Sequence, residues 1–509
     1  MSNRERFFRS GAMLAAVGLT MRTVTMLFGA FVSRAVGAEG MGLHTVIMTV
    51  YAFAVTFATS GVSLTVTRLV AEAVGEGDGR RVSGVMRGAL IYATVFGLAA
   101  TVILLSVAEL IGTSVLSEPR TVTSLRLLSL SLLPAALSSV FGGYFVGVRR
   151  VGFNAAAQVV TQLVRVCITV LLIMKVSGQG TVASVVALAL GMVITEIFGL
   201  LLSAIQFFVD RKRHDFGASP PELRRVLGTA IPLALSAYVR SALLTLEHIL
   251  IPARLRDGGE SSTDAYSQYG ILHGMALPLI LYPISPLSAF SGLLVPELAA
   301  AEGGRKRICR IASEALNTTL TYSVVVAVML WLFSEELGYV VYDSYEAGYY
   351  ISVLALIVPI MYLDHVTDSM LKGVGEQVFS MWVNISDSVL SVLLVWFLIP
   401  TLGIMGYALV IVIMEGYNFT LSFLRLRRRI SFRLDISGSL LLPAVAALTS
   451  AWLTGRLFIA AGTATGAALL TAKLVFSACI FLCTLVATRA FVRGCSQRRA
   501  GENQREPVQ

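Results

Sequence analysis

GAMLAAVGLTMRTVTMLFGAFVSRAVG (residues 11–37) decides what kind of molecule this is. The run is long enough to cross a bilayer, yet it carries Arg22 well inside it. A second apolar run, MGLHTVIMTVYAFAVTFATSGVSL (residues 41–64), is broken at Ser60-Gly61 and continues to a charged end with Arg68 and Glu72. An arginine near the bilayer midplane costs about 2.5–3.5 kcal/mol on insertion scales, so it persists mainly where it faces a watery or protein-lined cavity. Arg34 and Arg68, nearer the ends of their runs, can extend to a headgroup layer. Arg22 is expected to line a polar cavity instead.

The same character extends over the whole chain. Its 509 residues are 56% hydrophobic and 14% charged, with mean hydropathy +0.78. A water-soluble core could not hide so much apolar surface, so the fold class is an all-α polytopic membrane protein. The net charge of +10 comes from short basic clusters between apolar runs. That pattern serves topology and excludes nucleic acid as a partner. Cys167, Cys309, Cys479, Cys483 and Cys495 lie in or beside apolar segments without the companions of a metal site. GEGDG (residues 75–79) has neither a preceding strand nor a following Lys-Ser/Thr, so it is not a nucleotide loop. The basic N-terminus leads into a run too long for a signal-peptide core.

At about 20 residues per crossing, the chain holds about 14 apolar runs. They are 10–36, 41–66, 84–112, 124–147, 153–176, 182–209, 226–252, 266–294, 311–333, 348–371, 377–399, 402–424, 437–460 and 464–491. Connections are short, so successive helices are antiparallel neighbours. Of the 40 basic residues, 28 fall on one side of this arrangement, among them Arg4, Arg80, Arg149, Arg211, Arg305, Lys372, Arg425 and Arg489. Seven lie opposite, at Arg34, Arg120, Arg126, Lys175, Arg254, Arg256 and Arg456, and one outer loop is acidic (Glu335, Glu336, Asp343, Glu346). The positive-inside rule then places both termini in the cytoplasm, with an even number of spans.

The chain repeats itself. GVRRVGFNAAAQVVTQLVRV from Gly147 aligns with GVGEQVFSMWVNISDSVLSV from Gly373, a shift of 226, and each is preceded by a helix with a proline, Pro134 or Pro359. LVAEAVGEGDGRR from Leu69 aligns with ELAAAEGGRKR from Glu297 at nearly the same shift. A shift of six spans implies two parallel, pseudo-symmetric six-helix lobes around a central cleft, plus a C-terminal helical hairpin. The expected divisions are a first lobe at 1–210, a cytoplasmic linker at 211–225, a second lobe at 226–425, helices 13 and 14 at 426–491 and a disordered tail at 492–509.

Residues 9–73 resemble the opening of the stage V sporulation protein B family. The resemblance lies in the arginine of the first helix, the R-x-x-G-A-E-G-x-G-L hinge from Arg34 to Leu43, the A-T-x-G-V break and the R-L-V-A-E end. ALLTLEHILIPARL in the seventh span and P-E-L-A-A-A ending the eighth are similar too. That family is similar to MurJ-type lipid II flippases and, more distantly, to multidrug and toxic compound extrusion transporters. The resemblance implies a flippase that moves a polyprenyl-pyrophosphate-linked oligosaccharide across the cytoplasmic membrane by alternating access. Its partners would be the lipid-linked glycan, membrane lipids and cell-wall synthesis proteins. A cation-coupled multidrug or metabolite antiporter on the same fold is the alternative. A membrane glycosyltransferase using the same lipid would need larger outer loops, so the chain is not expected to be an enzyme.

Intramembrane ionisable residues are the candidate sites. Arg22 and Arg240 occupy comparable depths in the first helix of each half and are expected to bind substrate phosphates, which guanidinium forks grip well. Arg34, Arg68 and Arg254 complete the cationic set; local pairing with Glu72 or Glu247 is the competing role. Asp364, Asp368 and Lys372 share one helical face. With Glu247, Asn384 and Asp387, the two aspartates are candidates for coupling to Na⁺ or H⁺, against a purely structural role in joining helices. No other cofactor is expected. Pro278, Pro283, Pro286 and Pro296 crowd the eighth span, where a kink could act as a hinge. Gly142, Gly143 and Gly147 are expected to permit close helix packing.

Overall fold

The computed structural model describes residues 3–59, 61–176, 178–213, 217, 219–300, 304–460 and 469–485, with side chains from residue 18 onward. The expected tail at 492–509, the arginines from Arg489, the side chains of Arg4, Arg6 and Arg9 and part of the 211–225 linker lie outside the described residues.

Every regular element among the described residues is helical. The helix α1 (Asn3–Thr59) would be about 85 Å long if straight, against a hydrocarbon core of about 30 Å. It is interrupted at Gly37, with φ 74° and ψ 178°, where two helical stretches meet across a kink. Only a residue without Cβ adopts that conformation cheaply. The expected break before α2 (Val62–Gly75) is made by Gly61 in the left-handed region. Helix α3 (Gly79–Leu110) starts at Asp78, whose carboxylate accepts the Arg81 N–H at 3.1 Å.

α4 (Val122–Ser129) and α5 (Leu132–Gly147) form one span bent by 43°, followed by α6 (Val151–Val176), α7 (Thr181–Arg213) and α8 (Leu223–Asp257). Next come α9 (Ser262–Tyr269), a π-helical segment (Gly270–Ala276), α10 (Leu277–Leu281), a 3₁₀ turn (Tyr282–Ile284) and α11 (Ser285–Ala300). Pro278 opens α10, Pro283 lies in the 3₁₀ turn and Pro286 is in the first turn of α11. α12 (Arg305–Leu332) and α13 (Ser334–Tyr342) precede a second bent pair, α14 (Tyr345–Ala355) and α15 (Val358–Gly373), angled at 60°. α16 (Gln377–Leu402), α17 (Ile404–Arg429) and α18 (Leu442–Ala460) follow. Pro134 and Pro359 sit in the first turns of α5 and α15, where the missing N–H would have no intrahelical partner.

Among the described residues ten helices are long and apolar enough to cross a membrane, or up to twelve with each bent pair as one span. Two features account for the difference from 14. Gly18–Gly75 is counted once although it holds the first two expected runs on either side of the Gly37 kink, and only Leu469–Leu485 of the last expected span is described. The repeat is visible in the helix boundaries. α5 and α15 begin and end 226 residues apart (358 − 132, 373 − 147), as do α6 and α16 (377 − 151, 402 − 176).

Contacts divide the chain into two units, Met1–Gly274 with Ser388–Tyr407, and Met275–Asp387 with Ala408–Gln509. The lobes expected from sequence symmetry are a different partition, which contact density does not test. In the first unit α5 packs on α2 and α3, and α6 on α7. A Cβ at Gly147 would lie 2.9 Å from Val70 Cβ, and one at Gly143 2.6 Å from the Ser63 carbonyl oxygen, so both glycines do permit close approach. Arg120 ties one end of the unit together, donating to Glu39 at 2.8 Å and to Glu118 at 2.6 and 2.8 Å. Burial opposes ionisation of Glu118, but the Arg120 bonds outweigh it and hold the carboxyl below its usual value. At the other end Tyr144 donates to buried Asp210 at 2.8 Å, and Arg150 binds the same carboxylate.

In the second unit α15 packs on α11 and α12, around a core that includes Leu298, Leu316, Val366, Met370, Leu371 and Leu426. Glu376, in the turn between α15 and α16, accepts from Arg425 at 3.0 and 2.8 Å and also binds Arg429. The Arg425 bond, then Arg429, holds its carboxyl below the usual value.

Candidate functional site

Each unit carries its own concentration of polar groups. In the first, a cavity of about 550 Å³ opens among α1, α2, α5, α6 and α7. Tyr51, Ser63, Asn154, Gln158, Gln162 and Glu196 are among its lining residues. The α6–α7 pair is set close by Gly191, where a Cβ would collide with the Thr169 hydroxyl, and by Gly199, where it would lie 3.3 Å from Thr161. At that separation Arg165 of α6 meets Glu196 of α7 at 2.9 Å across the cavity wall. Opposite charges in contact relieve the cost of holding either one among apolar helices.

Arg22 is exposed and lies one helical turn from Thr25, whose hydroxyl accepts from Gln162 in the cavity wall at 3.3 Å. Arg240 of α8 and Arg34 are exposed too. Arg68 and Arg254 each have a carboxylate partner. Arg68 pairs with Glu72 at 3.0 Å, and Glu72 also takes Arg225 at 3.2 Å. Arg254 pairs with Asp257 at 2.7 Å, donates to the Trp396 carbonyl at 3.2 Å and lies 3.9 Å over the Trp396 ring. Glu247 accepts from Ser391 at 2.6 Å.

The second unit gathers carboxylates on α15, α16 and α17. Asp368 takes Lys372 at 2.6 Å and Ser380, so part of the expected acidic stripe is paired within the bundle. Asn384 donates to the Ser380 carbonyl at 2.8 Å, and Tyr417 to Ser386 at 3.1 Å. Asp364 and Asp387 are partly buried, and both charges interact with that of Glu415. One Asp364 oxygen is enclosed without a hydrogen-bond partner among the described residues. Among those residues no three His, Cys, Asp or Glu side chains converge as metal ligands do. A groove of about 630 Å³ runs between α12 and the helix Leu469–Leu485, lined by Asn317, Thr321, Val325, Phe481, Leu482 and Leu485.

Sequence reading missed Arg165, Glu196 and Glu415. Each is a lone charge inside an apolar run, the same signal that singled out Arg22, but nothing local names its partner.

Comparison with known proteins places this geometry. Stage V sporulation protein B of Bacillus subtilis (strain 168) is 26% identical over 431 residues, covering 80% of this chain and 81% of that protein. Sporulation protein YkvU of the same strain is 21% identical over 357 residues, 69% of this chain and 78% of the other. A solved structure of the lipid II flippase MurJ in an inward closed conformation shares the fold, with TM-score 0.69 at 14% identity over 95% of this chain and 99% of that one. So does an inward-facing multidrug resistance MATE family transporter, with TM-score 0.66 at 20% identity over 82% of this chain and 98% of that one. The MatE family profile matches residues 263–397. The apolar helices and these likenesses make the chain a multi-pass membrane protein. With residues 7–302 matching the polysaccharide biosynthesis protein profile, more than half its length, the chain belongs to that family.

Proposed function

We propose that this protein is a flippase that moves a polyprenyl-pyrophosphate-linked oligosaccharide, a peptidoglycan or polysaccharide precursor, between the leaflets of the bacterial cytoplasmic membrane by alternating access. The family match over residues 7–302 carries the reading. It is supported by a hydroxyl- and amide-rich cavity inside an otherwise apolar bundle. Arg22 and Arg240 bind the pyrophosphate, since both are exposed on largely apolar helices and a guanidinium fork grips phosphate oxygens. Arg34 is a secondary contact. The apolar side of the groove beside Leu469–Leu485 suits a polyprenyl chain.

The protein performs no covalent chemistry, keeps both termini in the cytoplasm, uses Na⁺ or H⁺ as coupling ion and works beside cell-wall synthesis proteins. Asp364, Asp368, Asn384, Asp387 and Glu247 are the residues offered for coupling. A second reading, a cation-coupled multidrug or metabolite antiporter, is favoured by the MatE match and by the carboxylates of the second unit. Leaflet-specific labelling of lipid-linked precursors after depletion of the protein separates the two. Precursor trapped in the inner leaflet supports the flippase; an unchanged distribution, with altered drug efflux, supports the antiporter.

A further inference from the structure

Two of the five histidines meet inside the first unit, where neither the cavity nor the arginines involve them. His248 lies on α8 and His273 in the π-helical segment Gly270–Ala276. Their rings are 4.4 Å apart between centroids, edge to face. Each Nδ1 faces a tyrosine hydroxyl, His248 that of Tyr269 at 3.1 Å and His273 that of Tyr407 at 3.0 Å. Tyr269 also stacks on His273, with centroids 5.3 Å apart and planes 10° from parallel. Both tyrosines are buried. A π-helical segment is an uncommon element that recurs at functional sites. Here it places one imidazole against another.

The surroundings of the pair are acidic or neutral. From α8, Glu247 is close enough for its charge to act on both Tyr269 and Tyr407. From α9 come Tyr266 and Tyr269, from α17 Tyr407, and from α16 the uncharged Ser391, which donates to Glu247. α1 packs on α8 and α9 and supplies Thr49, whose hydroxyl contacts that of Tyr269. The titratable groups of that stretch of α1 are His44, Glu39 and Tyr51; Glu39 takes Arg120, and Tyr51 takes Ser131.

We propose that His248 and His273 form a proton-binding site in which one proton is held by the imidazole pair, and that this proton is the coupling ion. The proposal rests on the transport reading above and adds the ion and its place. A neutral imidazole has one N–H and one acceptor nitrogen; a protonated one donates from both. A protonated ring carries a hydrogen on Nδ1, so the tyrosine hydroxyl opposite accepts; where the neutral ring keeps its hydrogen on Nε2 that hydroxyl donates instead, and gaining the proton reverses the bond. Two positive rings 4.4 Å apart repel, so one proton is the capacity of the pair. His248 belongs to α8 and His273 to the segment after α9, so the protonation state changes the bond pattern joining two helices.

With five histidines in the chain, protein labelled with ¹⁵N-histidine in nanodiscs gives a short spectrum, and His248→Gln and His273→Gln assign it. The expected result is a coupled titration between pH 5 and 8 in wild type. Removing the ring that binds the proton first should raise the proton affinity of the other by tenfold or more, because the repulsion is gone, whereas removing the other should leave the first nearly unchanged. Rings that both stay neutral over this range, or that titrate independently of each other, overturn the proposal. A second arm uses proteoliposomes containing a polyprenyl-pyrophosphate-linked sugar. A pH gradient should speed its translocation in wild type about tenfold, and the double variant should lose that acceleration while keeping gradient-independent movement. An unchanged response in the double variant also overturns the proposal. If wild type moves no lipid under any condition, the flippase reading fails, and the titration alone decides the proton site.

Discussion

Gly42→Ala tests the closest helix crossing in the first unit. A Cβ there would collide with the Tyr266 carbonyl oxygen and lie 2.7 Å from its carbon and 3.1 Å from its Cα. Carbon atoms rest at about 3.5–4.0 Å, so α9 would have to retreat by roughly 1 Å. All three obstacles are backbone atoms, and no rotamer change relieves them. Gly270 packs against the same place, where its Cβ would meet the Ala38 carbonyl and lie 2.5 Å from Gly42 N. Overpacking costs about 1–3 kcal/mol, and the backbone obstruction places this site near 3. That corresponds to roughly a hundredfold shift away from the packed crossing. The assay is fluorescence-monitored size exclusion after heating, with Gly228→Ala as control. Gly228 lies inside α8 with nothing within 4 Å, and alanine there should be neutral or stabilise by about 0.4–1 kcal/mol. In parallel, a cysteine replacing buried Met41 should become reactive only in the Gly42→Ala background. Gly42→Ala protein that melts with the parent and keeps that cysteine protected would refute the argument.

Three further outcomes are expected. Lysine at Arg22 or Arg240 should leave expression intact but lower translocation, since it keeps the charge and loses the planar fork. Alanine at Arg22 should weaken precursor binding by about 1.5–3 kcal/mol, and parental rates in all of these variants would make the arginines structural. Glu376→Gln should lower stability at neutral pH. The Arg425-bound carboxylate has a lowered folded value, so its contribution is present above the unfolded value near 4.3 and disappears as pH falls through the folded one. A melting deficit that persists undiminished in acid would contradict that sign. With native cysteines replaced by serine, single cysteines at exposed Gln179 and Glu346 should react with an impermeant reagent from outside, and one at exposed Lys306 should not. The reverse pattern would invert the topology.

Much of the fold was legible because a bilayer imposes local rules. The Gly61 break and the 226-residue repeat appear in the helix boundaries where hydropathy and motif spacing placed them. The kink of α1 at Gly37 lies inside the R-x-x-G-A-E-G-x-G-L hinge, between the first two expected spans. The candidate sites were less legible. Arg68 and Arg254 read as substrate ligands by their position among apolar residues, yet their guanidinium groups are held by Glu72 and Asp257. For the stripe of Asp364, Asp368 and Lys372 the sequence left open a cavity lining or pairing within the bundle, and Asp368 pairs with Lys372 and Ser380.

What the chain determined by itself is the class of structure, the places where its helices cross and break, and the internal repeat. These depend on stretches of about 20 residues answering to a solvent that tolerates no unsatisfied backbone. Tertiary structure decided which charges and rings meet. Arg165 finds Glu196 on the next helix, Glu415 joins Asp364 and Asp387, and His248 finds His273. Such pairings depend on how far each helix is rotated about its axis and slid along its neighbour. Where nearly every face is apolar, hydropathy carries almost no information about rotation, so only packing at positions such as Gly42, Gly191 and Gly270 sets it.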